Sequence, residues 1–193
     1  MRAEASLRKR EILDAIVEYI VEHGASNLPL RTVAAATGTK ARLLIYHFGS
    51  KEQMVAEAMA ALRDRVQASF VKGAGRRAES PGAIVRRFWR MAVEKRNAKV
   101  MRVFFEVHAL ALTLKGPYAD YMRQSFAIWG RMIEAAIPPH VGPARRQAVA
   151  RLVVGAFDGL IMDYLSTGDL RRTEAALNLF AVEIDRIVGR RTK

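Results

Sequence analysis

The chain has 193 residues, of which 51% are hydrophobic and 26% are charged, as in a protein with one or two folded domains and a sizeable core. It contains no cysteine, which excludes disulfides, thiolate metal ligands and a cysteine nucleophile. No apolar run reaches about 18 residues, and the charged segment 1–10 lacks the apolar stretch of a secretory signal. We therefore expect a cytoplasmic protein without a membrane span.

The net charge of +13 is unevenly distributed. Residues 1–72 hold 11 Lys and Arg against 8 Asp and Glu, whereas residues 73–115 hold 10 against 3. A basic protein can bind nucleic acid, an anionic membrane or acidic ligands. The excess in 73–115 is equally well explained as a solvated basic face, and we keep both interpretations.

Apolar residues recur at helical spacing along almost the whole chain, and no segment shows sustained strand alternation, so we predict an all-α fold of about nine helices. The predicted helices lie near residues 7–23, with Ser6 as the N-cap, and near 30–37, 40–48, 50–71, 85–93, 100–111, 121–132, 143–167 and 170–189. The segment 72–82 is rich in Gly, Arg, Ser and Pro and is the clearest linker. We predict a three-helix domain over 1–50, a connecting helix over 51–71 and a helical body over 72–193.

The second and third predicted helices meet at Gly38-Thr39, which predicts a helix-turn-helix because glycine accepts a positive φ. Thr39 is placed to cap the third helix. Spacing predicts that this helix turns one face inward and two rows outward. The predicted buried face consists of Ala41, Leu44, Ile45 and Phe48. The outward rows are Arg42 with Tyr46, and Leu43 with His47.

This pattern is typical of a recognition helix followed by a phosphate clamp. A helix of this size fits the major groove, where Arg42 can donate two hydrogen bonds to guanine O6 and N7. Tyr46 and His47 lie near its end, where donors meet phosphate, and Lys51 stands beside the amides of the next helix. Arg31 opens the preceding helix and can reach the DNA backbone or a base edge. The alternative is a plain helical hairpin in which His47 and Lys51 are solvated side chains.

Residues 6–62 resemble the N-terminal domain of TetR-family transcriptional regulators. The resemblance is carried by the segments RTVAAATG, residues 31–38, and LIYHFGSK, residues 44–51. The family's apolar-Ala pair, glycine turn, aromatic-His-Phe end and later lysine are matched by Val33-Ala34, Gly38, Tyr46-His47-Phe48 and Lys51. Members often have serine at the place of Lys40, tyrosine at the place of Ile45, and Thr or Ser at the place of Pro29. The candidate DNA-binding residues are Arg31, Thr32, Lys40, Ala41, Arg42, Leu43, Tyr46, His47 and Lys51.

The resemblance implies a homodimeric repressor that binds a palindromic operator in double-stranded DNA and is released by a small-molecule effector. It implies that the last two helices form the dimer interface and that the helix over 51–71 transmits ligand binding. It also implies a pocket in the body, where large and adaptable side chains concentrate. The candidate effector-binding residues are Trp89, Phe104, Phe105, His108, Tyr121, Met122, Ser125, Trp129, Phe157, Asp158 and Met162.

Two alternatives to the ligand-responsive repressor stay open at this stage. In the first, the aromatic and Met side chains of the body are ordinary core, and the protein is an effector-independent regulator whose body only dimerises. The second is a helical enzyme or a membrane-surface protein that uses the basic segment 73–115. No HExxH, GxSxG, P-loop or dinucleotide-binding motif occurs. Asp158 and Asp163 are five residues apart on one predicted helix, so they do not share a helix face. We therefore predict no enzyme, no metal site and no cofactor.

Overall fold

A computed structural model describes residues 2–73 and 79–189, with the side chains of residues 2–6 left undescribed. Over these ranges the chain forms nine helices and no strand, which confirms the predicted all-α fold. The helices are α1 (Arg2–His23), α2 (Leu30–Ala36), α3 (Ala41–Phe48), α4 (Lys51–Lys72), α5 (Pro81–Val93), α6 (Lys95–Thr113), α7 (Pro117–Ala135), α8 (Pro143–Thr167) and α9 (Leu170–Gly189).

Local side-chain chemistry sets several helix ends. The Ser50 hydroxyl accepts a hydrogen bond from the Gln53 amide at 3.0 Å and so caps α4. The Gln53 side chain donates to Glu57 instead of returning to Ser50, so only half of a capping box forms. Ser80 caps α5 in the same way, and Pro81 occupies its first turn. The end of the predicted linker 72–82 is therefore helical, while residues 74–78 of that linker lie outside the described residues.

The chain divides into two compact units that interleave along the sequence. The first unit takes the chain up to Ser69 together with Lys99–Ser125. The second takes Phe70–Ala98 together with the chain from Phe126 onward. The predicted division into 1–50, 51–71 and 72–193 is a division by role, and it stays a prediction.

In the first unit, buried side chains of α1, α2 and α3 form the core around the helix-turn-helix, among them Ile16, Val33 and Leu44. The Glu106 carboxylate of α6 accepts hydrogen bonds from the amides of Ala25 at 2.6 Å and Ser26 at 2.9 Å. These charge-assisted bonds hold the turn after α1, because hydrogen bonds to an ionised group are stronger than neutral ones. The orientation of α1, which supports α2 and α3, is thereby fixed.

In the second unit, α5, α8 and α9 pack against one another. The approach of α5 to α9 is so close at Gly82 that an added Cβ would lie 2.2 Å from the Ala181 carbonyl oxygen. The Asp185 carboxylate accepts hydrogen bonds there from the Gly82 amide at 2.8 Å and the Ser80 hydroxyl at 2.9 Å. Further along α5, Phe88 is the centre of a cluster with the rings of Phe70, Trp129 and Phe157. No helix of the described ranges is long and apolar enough to cross a bilayer.

Candidate nucleic-acid interface

The turn between α2 and α3 has the geometry that the sequence predicts. Gly38 has a φ of +63°, in the left-handed region that favours glycine. Its amide donates to the Ala35 carbonyl at 3.2 Å, and the Thr39 amide donates to the Ala34 carbonyl at 2.8 Å. These bonds close the end of α2 and direct the chain into α3.

The start of α3 differs from the prediction. Lys40, not Thr39, occupies the N-cap position, with extended backbone angles. No side-chain oxygen within the described residues caps α3. The predicted Thr39 cap is therefore wrong, because α3 begins one residue later than the periodicity indicates. The first amides of an uncapped helix keep free donors for an external acceptor such as phosphate.

Fewer residues of α3 are buried than the sequence predicts. Leu44 and Phe48 are buried, but Ile45 is 38% exposed and Ala41 is only half-buried. The prediction that Ile45 belongs to the buried face is wrong, because a helix of eight residues packs on the core by the single i, i+4 row of Leu44 and Phe48. Of the predicted outward rows, Arg42, Leu43 and Tyr46 are exposed, and Tyr46 is 79% exposed. His47 is half-buried, with its ring edge-on to Tyr46 at 5.3 Å.

An open depression of about 720 Å³ lies beside α3. Its lining consists of Arg8, Gly38, Thr39, Lys40, Arg42, Leu43 and Tyr46. Four of the predicted DNA-binding residues, Lys40, Arg42, Leu43 and Tyr46, are thus brought together on one surface. Three cations converge there, which suits a polyanion.

Arg8 is the charged residue of this surface that the sequence did not predict. It stands on α1, more than 30 positions before α3, and its guanidinium donates to Glu11 at 3.0 Å. The available signal was the run Arg8-Lys9-Arg10. The middle residue of that run turns the other way: Lys9 pairs with Glu57 at 2.8 Å and lies over the Phe48 ring at 4.8 Å. Lys9 therefore joins α1 to α3 and α4, while Arg8 adds charge to the depression.

The other predicted DNA-binding residues flank this surface without lining it. Arg31 and Thr32 are exposed in the first turn of α2, and Lys51 is half-buried at the first position of α4. Within the described part of the chain, no carboxylate lies within 4.0 Å of the cations of Arg31, Lys40 or Arg42. Their charges are therefore available to a partner, because no internal ion pair competes for them.

The predicted effector-binding residues are distributed over both units. Phe104, Phe105, His108, Tyr121, Met122 and Ser125 belong to the first unit, and Trp89, Trp129, Phe157, Asp158 and Met162 belong to the second. Most of them are buried or half-buried. Met162 is 52% exposed, because it follows the buried Ile161 and its side chain leaves α8 about 100° further round.

Burial displaces the pKa of three of these side chains, His108, Tyr121 and Asp158. Burial lowers the pKa of His108 in the first unit, where its ring lies edge-on to Phe105 at 5.5 Å. Burial raises the pKa of Asp158 in the second unit to about 7. Within the described residues, no group of three or more His, Asp or Glu is arranged to hold a metal ion.

Residues 12–58, which run from within α1 to within α4, match the family described as bacterial regulatory proteins, tetR family. The matched segment spans about a quarter of the chain and contains both RTVAAATG and LIYHFGSK. The resemblance inferred from these two segments is thus confirmed for the N-terminal domain, in which the glycine turn and the exposed α3 lie.

One curated protein is similar to this chain in sequence, and solved structures are similar to it in fold. The chain is 34% identical over 84 residues to the HTH-type transcriptional regulator BetI of Agrobacterium fabrum, a match that covers 41% of this chain and 40% of BetI. A solved structure of a transcriptional regulator from Rhodococcus sp. Rha1 has the same fold, with a TM-score of 0.75, 20% identity and coverage of 91% of this chain and 95% of that one. A solved structure from Saccharomonospora viridis, in complex with choline, has a TM-score of 0.71 at 19% identity, with coverage of 91% and 95%.

Proposed function

We propose that this TetR-family chain is a DNA-binding transcriptional regulator that binds a palindromic operator as a homodimer. The observation that carries the proposal is the convergence of Arg8, Lys40 and Arg42 with the exposed Tyr46 beside α3. In the proposed complex α3 enters the major groove and Arg42 reads guanine, with Leu43 in apolar contact with a thymine methyl. Lys40 and Arg8 bind phosphates, and so do Tyr46 and His47 at the end of α3.

Flanking groups complete the proposed contact with DNA. Arg31 and Thr32 stand at the start of α2, which crosses the backbone in a helix-turn-helix complex. Lys51 stands at the first position of α4, where a cation and the helix amides favour phosphate together. Ala41 is small enough to let α3 approach the bases closely. Because the proposed partner is DNA, we propose a cytoplasmic location. We also propose that the chain has no enzymatic activity.

Selection from a random duplex library tests this function. We expect enrichment of an inverted repeat whose half-sites are separated by one helical turn or a multiple of it, because a two-fold dimer presents two copies of α3. The same selection with His47→Ala should enrich the same repeat with weaker binding, because His47 is proposed to contact only phosphate. Recovery of binding that depends on salt but not on sequence would contradict the proposal.

The proposed dimer uses α8 and α9, where apolar side chains of the second unit are exposed. They are Leu152, Met162, Leu170, Leu179 and Val182. Exposed apolar side chains that cluster on neighbouring elements are typical of an interface. Two copies of the same surface close a two-fold dimer without leaving a free edge. This interface would also cover Met162, which would then belong to the interface and not to a pocket.

Leu179→Glu combined with Val182→Glu is expected to convert the dimer to a monomer, because two carboxylates per protomer would be buried in an apolar interface without partners. Sedimentation equilibrium should give twice the chain mass of 21.6 kDa for the original protein and a single mass for the variant. Leu112→Glu on α6 is the control, since Leu112 is 88% exposed and should leave the mass unchanged. A monomeric original protein, or a variant that still dimerises, would refute the interface.

We further propose that a small-molecule effector releases the repressor from DNA. The choline complex of the Saccharomonospora viridis regulator, which has the same fold, supports this proposal. The lever would be α4, which begins three residues after α3 ends. A ligand can act in this way only if it binds the DNA-bound and released states with different affinities.

The second candidate is an effector-independent regulator whose body only dimerises. It is favoured by the burial of Trp89, Phe104 and Phe157, which is what ordinary core packing gives. A small-molecule screen against the selected duplex separates the two candidates. A compound that lowers duplex affinity reproducibly supports the responsive repressor, and stability of the complex against every compound that binds the protein supports the alternative.

A further inference from the structure

Two buried polar atoms of the first unit have no hydrogen-bond partner within the described residues: Nη1 of Arg63 and the hydroxyl of Tyr121. Arg63 stands on α4 and is 5% exposed, and Tyr121 stands on α7 and is 3% exposed. The two side chains are adjacent, because the Arg63 guanidinium lies over the Tyr121 ring at 5.7 Å from its centroid. Two unsatisfied donors therefore belong to one cluster that joins α4 to α7.

The rest of the guanidinium is already engaged. Arg63 donates from Nε at 3.0 Å and from Nη2 at 2.8 Å to a single oxygen of Asp64. The Asp64 side chain is 63% exposed, so it neutralises the guanidinium from the solvent side and leaves Nη1 without an acceptor. The nitrogen that lacks an acceptor, Nη1, is the buried one.

Tyr121 keeps its proton under all ordinary conditions. Burial raises the pKa of Tyr121 far above its usual range, and nearby Ser125 and Arg63 oppose that rise only in part. Ser125 is 6% exposed and stands one turn later on α7. Its hydroxyl is close enough to lower the pKa of Tyr121, but the two hydroxyls do not reach full hydrogen-bond geometry. The cluster thus presents a guanidinium N–H and a phenolic O–H, with a second hydroxyl beside them.

Such an arrangement is unfavourable unless an acceptor occupies it. A buried donor without a partner costs about 1–3 kcal/mol, and more when the group is charged. Two other buried nitrogens, Trp89 Nε1 and Arg146 Nε, also have no partner within the described ranges, but they belong to the second unit and carry no adjacent unsatisfied donor of this kind. Among the unpartnered buried groups of the described residues, Arg63 and Tyr121 are the pair in which a positively charged side chain lies against one with a neutral donor. A charged and a neutral donor together are the combination that binds an oxyanion.

We propose that Arg63, Tyr121 and Ser125 bind the anionic group of a small-molecule effector, either a carboxylate or a phosphate. This inference rests on the proposed response to a ligand and adds the chemical class of that ligand. An anion held here bridges α4 and α7, and α4 continues directly from the DNA-binding surface through Gly49-Ser50. An anion bound to Arg63 therefore acts directly on α4, the helix that follows α3 and positions it.

The test measures binding of defined anions to the full chain. Formate, benzoate, octanoate and inorganic phosphate are compared with chloride at equal ionic strength by calorimetry and by thermal unfolding. Benzamide and octanamide are the uncharged counterparts of two of the acids. We expect at least one acid to bind ten times or more tighter than its amide, because only the acid offers a charged acceptor to Nη1. The phosphate arm distinguishes the two anion chemistries.

Matched variants connect the binding to the cluster. Tyr121→Phe removes one oxygen and should weaken anion binding by about tenfold, as expected for loss of a hydrogen bond to a charged group. Arg63→Gln should abolish measurable binding. Tyr118→Phe is the control, because Tyr118 is an equally buried tyrosine one turn earlier on α7 and is not part of the cluster.

Two results overturn the inference. One is that no anion binds better than chloride or than its amide. The other is that Tyr121→Phe and Tyr118→Phe weaken binding equally. A water that simply satisfies both donors would appear as the first result, together with a lower unfolding temperature for Tyr121→Phe.

Duplex binding, measured without any anion, separates this inference from the proposed function. Sequence-specific duplex binding without anion binding overturns the effector class alone. Anion binding without sequence-specific duplex binding overturns the regulator alone. When both occur, the anion should lower duplex affinity in the original protein and leave that of Arg63→Gln unchanged.

Discussion

Gly82→Ala is expected to lower the free energy of unfolding by about 3 kcal/mol, the upper end of what overpacking costs in a close-packed interior. The added Cβ would lie 2.2 Å from the Ala181 carbonyl oxygen and 2.6 Å from a carboxylate oxygen of Asp185. The carboxylate can rotate away only by giving up its hydrogen bonds to the Gly82 amide and the Ser80 hydroxyl. The carbonyl is part of α9 and cannot move without displacing the helix, so α5 and α9 must separate.

Tryptophan fluorescence during denaturant unfolding is the appropriate measurement. Both tryptophans of the chain, Trp89 and Trp129, lie in the second unit with Gly82. The comparison is made at one protein concentration, because dimerisation makes apparent stability depend on concentration.

Gly130→Ala is the matched control for this substitution. Gly130 lies in α7, and an added Cβ meets nothing within 4 Å. Alanine should therefore stabilise that helix by about 0.5–1 kcal/mol, its ordinary advantage over glycine. If Gly82→Ala unfolds at the same denaturant concentration as the original protein, α5 does not lie as close to α9 as the structure shows, and the prediction is wrong.

Arg42→Ala is expected to raise the dissociation constant for the selected operator by about 30-fold or more. A bidentate contact from arginine to guanine is worth about 1–3 kcal/mol, and a palindrome loses two of them when both protomers change. The guanidinium is exposed and has no carboxylate partner within the described residues, so its removal should not disturb the fold. Fluorescence anisotropy with the operator and a scrambled duplex at one salt concentration measures the loss.

Two further variants show whether the loss of operator affinity comes from a base contact or from the lost charge. Lys40→Ala removes a proposed phosphate contact, so it should weaken both duplexes by a similar factor and make binding less dependent on salt. Arg102→Ala removes the same charge from an exposed position of α6 and should change neither affinity. If Arg42→Ala weakens the operator and the scrambled duplex equally, Arg42 does not read a base, and its contact is with the DNA backbone.

The sequence by itself determined which segments are helical and where the DNA-binding motif lies. The ends of α8 and α9 fall where the apolar spacing and Gly168 predicted them, and Gly38 makes the predicted turn. These features are local: a helix is specified by residues three and four positions apart, and a turn by one glycine that accepts a positive φ. The ordered motif after Gly38 is equally local, which explains why the sequence alone was enough to indicate the resemblance of this domain to the TetR family.

Only the tertiary structure decided which side chains share a surface. Periodicity placed Ile45 inside because it follows Leu44, but one row of α3 suffices to contact the core, so Ile45 is exposed. Arg8 reaches the depression of Arg42, and Arg63 reaches Tyr121, across separations of 34 and 58 positions that no local pattern encodes. Such encounters depend on how helices pack, and packing is fixed by the volumes of side chains from distant parts of the chain.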